Sequence, residues 1–104
     1  MTMETAKIIL EQLGGNQFIV MTGAKNFIGR EDGLSFKLGR NKTSMNYVTI
    51  TLTPADLYDL KFERVTLSKK TFETTRKVVA EHFGIYADQL QEIFTDTTGL
   101  FTKL

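Results

Sequence analysis

The sequence predicts an α+β domain: a four-stranded antiparallel meander with helices, one N-terminal and two C-terminal, packed on one face. Three observations lead there. Apolar and polar residues alternate through the middle of the chain, the period of strands that bury one face. Apolar residues recur at helical spacing before and after that stretch. A sheet with one apolar face must cover it, and the flanking helices are the layer this chain offers.

Met3, Ala6, Ile9, Leu10 and Leu13 share a helical face, and Gly14 with Gly15 ends the pattern as a C-terminal cap. Gln17 to Arg30 carries the run Phe18-Ile19-Val20-Met21 and then Phe27-Ile28, which reads as one long strand bulged near Gly23 or as a strand with a return loop. Glu31-Asp32-Gly33 forms a hairpin turn, with Gly33 supplying a positive φ. Leu34, Phe36 and Leu38 alternate with Ser35 and Lys37; after the polar loop Gly39 to Asn46, Val48, Ile50 and Leu52 alternate with Tyr47, Thr49 and Thr51. Thr53-Pro54-Ala55-Asp56 reads as an N-cap followed by a single helical turn. The fourth strand, Leu57 to Thr66, sets Tyr58, Leu60 and Phe62 against Asp59, Lys61 and Glu63. Ser68 then caps a helix running to Phe83, with Phe72, Thr75, Val79 and Phe83 along its buried stripe and Gly84 as its stop. A last helix places Ala87, Leu90, Ile93, Phe94 and Thr97 on one face and ends at Gly99.

With 104 residues the chain holds one domain, 1–104, and its 41% hydrophobic and 24% charged content is that of ordinary globular proteins. Cysteine is absent, which removes disulfides, thiolate metal sites and a thiol nucleophile from consideration. No segment reaches the roughly 18 apolar residues of a membrane span, and the N-terminus lacks the basic start and apolar core of an export signal. These features predict a cytoplasmic protein with no membrane partner, acting as a monomer or small homo-oligomer.

Candidate chemistry is sparse. His82 is the only histidine, and a metal centre needs about three or four converging ligands, so no metal, catalytic residue or cofactor is assigned. Asp88, Glu92 and Asp96 lie on one flank of the last helix, which is the ordinary pattern of a solvated face. Gly23-Ala24-Lys25-Asn26 lacks the Gly-Lys-Ser/Thr of a phosphate loop.

The charge pattern says more than its sum of +1. Lys37, Arg40 and Lys42 are the charges between Leu34 and Met45, and basic residues dominate Lys61 to Lys77. If these segments meet, Arg40, Lys42, Lys69, Lys70, Arg76 and Lys77 form a phosphate-attracting patch. The open sheet face is expected to carry Ser35, Lys37, Thr49, Thr51, Lys61 and Glu63, with Lys25 and Asp59.

Ile9-Leu10-Glu11-Gln12-Leu13-Gly14-Gly15-Asn16, Val20 to Phe27, Asn46-Tyr47-Val48-Thr49-Ile50 and the tail from Gly84 to Leu104 together resemble a family of small proteins carried by bacteriophages, prophages and plasmids. The resemblance implies a bacterial cytosolic setting and a mobile-element origin, and brings no functional residues with it. On these grounds the sequence favours a non-enzymatic accessory protein that binds a macromolecule through its open sheet face or a helix flank, a protein partner ranking ahead of nucleic acid.

Overall fold

Four phenylalanines mark where the two layers meet. Phe18, Phe36, Phe62 and Phe94 are fully buried, and Phe18 packs edge-on against Phe36 at 5.5 Å and Phe94 at 5.1 Å between ring centroids. These distances and tilts are the favoured geometry of aromatic pairs. The computed structural model describes residues 4–38, 45–100 and 102.

The chain runs α1 (Glu4–Leu13), α2 (Gly15–Thr22), β1 (Lys25–Arg30), β2 (Gly33–Lys37), β3 (Tyr47–Leu52), β4 (Tyr58–Leu67), β5 (Thr74–Ile85), a 3-10 turn at Ala87–Gln89, and α3 (Leu90–Thr98). The strands form one antiparallel sheet in the order β1-β2-β3-β4-β5, so strands consecutive in sequence are neighbours and β1 and β5 are the edges. Leu34, Phe36, Val48, Ile50, Tyr58, Leu60 and Phe62 fill the covered face, with Ile9 and Leu13 of α1, Phe18 of α2 and Leu90 and Phe94 of α3 above them.

The α+β class and the meander agree with the sequence reading, but three elements change type. The Phe18 run is helix α2, not strand. Phe18 and Thr22, one turn apart, are both buried, the Thr22 hydroxyl donates to the Phe18 carbonyl at 2.7 Å, and left-handed Gly23 caps the end through its N–H to the Ile19 carbonyl. Four consecutive apolar residues fit either period, and here only one helical face is used, leaving Val20 81% exposed.

The Ser68–Phe83 stretch is the larger correction: it is a turn followed by the 12-residue strand β5. The supposed stripe of Phe72, Thr75, Val79 and Phe83 is exposed throughout. Thr74-Thr75 and Val78-Val79 are β-branched pairs suited to a pleated ladder. The sheet therefore has five strands, and the helices divide as two before it and one after. Thr53–Asp56 forms a hydrogen-bonded turn closed by Thr53, not a helical turn.

Gly33 is needed for a different reason from the one expected. Its φ is not positive; instead, a Cβ there would lie 2.3 Å from the Ile50 carbonyl oxygen across the ladder. The turn itself is made by Glu31 and Asp32, between the paired Arg30 and Gly33.

Candidate functional site

The sheet is not equally long in all its strands. β3 ends its pairing with β4 at Tyr47 opposite Glu63, while β4 and β5 continue together through Arg64–Lys77, Val65–Arg76, Thr66–Thr75 and Leu67–Thr74. Four further residues at about 3.3 Å each carry a two-stranded arm roughly 13 Å past the last β3–β4 pair, before the turn is counted. Every residue from Thr66 to Val79 is exposed.

A single side chain fixes the root of this arm. Asn46 stands just before β3, and its amide donates to the Val65 carbonyl at 2.7 Å while accepting from the Val65 N–H at 2.7 Å. The amide thus imitates one more residue of the ladder, satisfying both backbone groups of Val65 that face away from β5. Beside it, Arg76 grips Glu63 with a forked pair of hydrogen bonds, Nε to Oε2 at 3.2 Å and Nη2 to Oε1 at 3.1 Å, and lies over the Tyr47 ring at 5.1 Å. The hydrogen bond to Glu63, followed by its charge, raises the Arg76 pKa above its ordinary value.

The charges along the arm are arranged against the usual rule. Arg64 pairs directly with Lys77 across β4 and β5, and Lys25 pairs directly with Lys37 across β1 and β2 at the same end of the sheet. Like charges in direct register destabilise a ladder. Among the described residues the one ion pair is Arg76–Glu63, so neither pair is neutralised by a salt bridge there. Lys69 and Lys70 occupy the turn at the arm's tip. The opposite end of the sheet carries Glu31, Asp32, Asp56 and Asp59, with Arg30 as their basic neighbour. Glu73 is the carboxylate at the tip, so the described charges of a nearly neutral chain are separated along its strands, with cations in excess at the arm.

Between the arm and the β1–β2 edge lies a cleft of about 370 Å³ lined by Lys25, Lys37, Leu38, Asn46, Tyr47, Val65, Leu67 and Thr74. Its walls combine two cations with an aromatic ring and aliphatic floor.

Of the basic residues expected to cluster, Lys69, Lys70, Arg76 and Lys77 do share the arm, as turn and strand residues in place of helical ones. Arg76 faces the cleft side with Glu63, whereas Lys77 faces the other side with Arg64. Arg40 and Lys42 lie outside the described residues. Ser35, Lys37, Thr49, Thr51, Lys61 and Glu63 do share the open face. Two of them are not wet: Ser35 is 2% and Glu63 6% exposed. Ser35 is small and sits between Ile28 and Thr49 in register, and Glu63 is gripped by Arg76. Arg64 and Lys25 were missing from the expected patch, and only strand register reveals them.

His82 lies on β5, not on a helix, and its Nε2 meets the Thr97 hydroxyl at 3.0 Å while its ring packs edge-on to Phe62. It ties α3 to the sheet. Among the described residues no group of three potential metal ligands converges, and no helix is long and apolar enough to cross a membrane.

No family model, curated protein or solved structure matches this chain.

Proposed function

We propose that this protein is a non-enzymatic nucleic-acid-binding module that engages duplex DNA with its basic β-arm. The observation that carries the reading is the unneutralised like-charge register Arg64–Lys77 on the projecting arm, with a second, Lys25–Lys37, on the opposite face at the same end of the sheet. A polyanion relieves that repulsion by placing phosphates beside the cations and releasing its own counterions. The arm also has suitable dimensions, since the grooves of duplex DNA admit a two-stranded ribbon. One face of it presents Arg64, Thr66, Thr75 and Lys77, a set of cations and hydroxyls that all bond phosphate oxygens.

The sequence alone ranks a protein partner first. The projecting arm moves nucleic acid ahead, because its charge follows a narrow ribbon and is not spread over a flat face. The bacterial, mobile-element setting implied by the resemblance is compatible with a DNA ligand.

Fluorescence anisotropy of a labelled duplex of mixed sequence tests this. Micromolar binding is expected at low salt, with log affinity falling linearly against log salt by about 0.9 per phosphate contact. The double substitution Lys69→Glu, Lys70→Glu should weaken binding irrespective of base sequence, whereas Lys7→Glu on the exposed side of α1 should not. Absence of binding at low salt, or equal losses in both variants, would falsify the reading.

A further inference from the structure

The tip of the arm holds an aromatic residue in a conformation that aromatic residues avoid. Phe72 has φ of 59° and is 79% exposed. Left-handed backbone is uncommon outside glycine and is an outlier for a bulky side chain. Nothing in the packing rewards it, since Phe72 lies outside the core cluster.

The turn nevertheless holds this residue firmly. The Phe72 N–H donates to the Ser68 carbonyl at 2.8 Å, and the Ser68 N–H donates to the Glu73 carbonyl at 3.0 Å. The Thr71 N–H reaches the Ser68 hydroxyl and the Glu73 N–H reaches the Thr71 hydroxyl, both at 3.4 Å. The backbone of residue 72 is thus held within the turn, two residues beyond Lys70, with its ring in solvent. Strain retained at an exposed position, where glycine or asparagine would relieve it, points to a use for the side chain.

From this geometry we infer that Phe72 is a wedge that enters between base pairs and kinks the duplex held by the arm. The inference rests on the DNA-binding reading and adds deformation to it. Apolar side chains inserted at a base step unstack it and bend the helix by about 20–90°. Lys69 and Lys70, adjacent in the same turn, supply phosphate contacts that flank the opened step, and Arg64 and Lys77 hold the duplex farther along the arm. A lysine-flanked aromatic also suits an anionic membrane. The duplex is favoured because the cations continue down the arm to its root, beyond the reach of a surface touched by the tip alone.

The test is end-to-end energy transfer in a duplex labelled at both ends, measured with wild type and with Phe72→Gly. Glycine accepts the left-handed backbone, so this variant keeps the turn and its thermal stability should equal or exceed that of wild type. Wild type should raise the transfer efficiency. The glycine variant should bind within about tenfold of wild type, with the same salt slope, and leave the duplex straight. A wild type that binds without bending, or a glycine variant that bends equally, overturns the wedge and leaves DNA binding intact. Failure of wild type to bind any duplex removes both readings together. Phe72-dependent sedimentation with phosphatidylglycerol vesicles, without duplex bending, would transfer the tip to a membrane and overturn the wedge as stated.

Discussion

The body of the sheet and its arm are built from the same ladder yet held by different forces. In the body, Phe36 sits at 0% exposure among Phe18, Phe27 and Phe94, and the central strands β2, β3 and β4 bury their apolar face beneath helices. In the arm the same two strands continue with both faces in water, and a hairpin without a buried face is marginal on its own. What keeps the arm ordered is its root: the Asn46 clamp on Val65 and the Arg76–Glu63 fork against Tyr47. A chain can thus extend a ladder beyond its core, provided the junction is over-determined by polar contacts.

The comparison breaks most visibly in the body. Phe36→Ala should cost about 3–5 kcal/mol of unfolding free energy in a denaturant titration, since the cavity opens among three neighbouring rings. Gly33→Ala should follow at roughly 2–3 kcal/mol, because its new methyl meets backbone oxygen, not a side chain that can turn aside. Losses below about 1 kcal/mol for either would mean the layers are looser than the burial implies.

Asn46→Ala probes the junction. Removing the amide leaves the Val65 N–H and carbonyl without their described partners, at a cost of about 1–2 kcal/mol. Hydrogen exchange at the Val65 amide should accelerate well beyond that of Val48 or Ile50. Equal protection before and after the substitution would show that the clamp is dispensable.

Tyr58 reports on the body at high pH. Burial, and then the Asp56 carboxylate, raise its phenol above the ordinary value of 10.0. The folded state therefore keeps the proton to higher pH than the unfolded chain does. Its stabilising share is complete below about pH 10 and is lost as pH rises through the folded value. In Tyr58→Phe the decline of stability above pH 10 should be shallower than in wild type, the comparison being made between the two proteins because lysines titrate in the same range.

The smallest effect on stability separates the arm most sharply from the body. Lys77→Glu turns a repulsive register with Arg64 into an attractive one and should raise stability by about 0.5 kcal/mol. The same change should weaken DNA binding and flatten its salt dependence. A substitution that stabilises the fold while impairing binding would show that the repulsion belongs to function.

The body was legible in the sequence because period-two alternation at Leu34–Leu38 and Tyr47–Leu52 is enforced by a covered face. The arm was not, since no face of Thr74–Val79 is buried and an amphipathic pattern has nothing to report. Phe72, Thr75, Val79 and Phe83 fell at helical spacing by coincidence, while the β-branched pairs around them carried the better signal. In α2, four successive apolar residues matched either period, and only the Thr22–Gly23 end distinguished them. The basic site was half visible: composition located Lys69, Lys70, Arg76 and Lys77, but opposing charges across strands exist only once register is known. That is why Arg64 and Lys25 were not placed in the patch.

Polarisation along the strands has a kinetic consequence. With most of the described cations at the arm end of the sheet and carboxylates at the far turns, charge is separated along the strands, despite a formal charge of only +1. In the field of a polyanion it rotates arm-first before contact, so that encounters are pre-oriented. Ionic strength should then act chiefly on the association rate, while the lifetime of the complex is set by the contacts made after arrival.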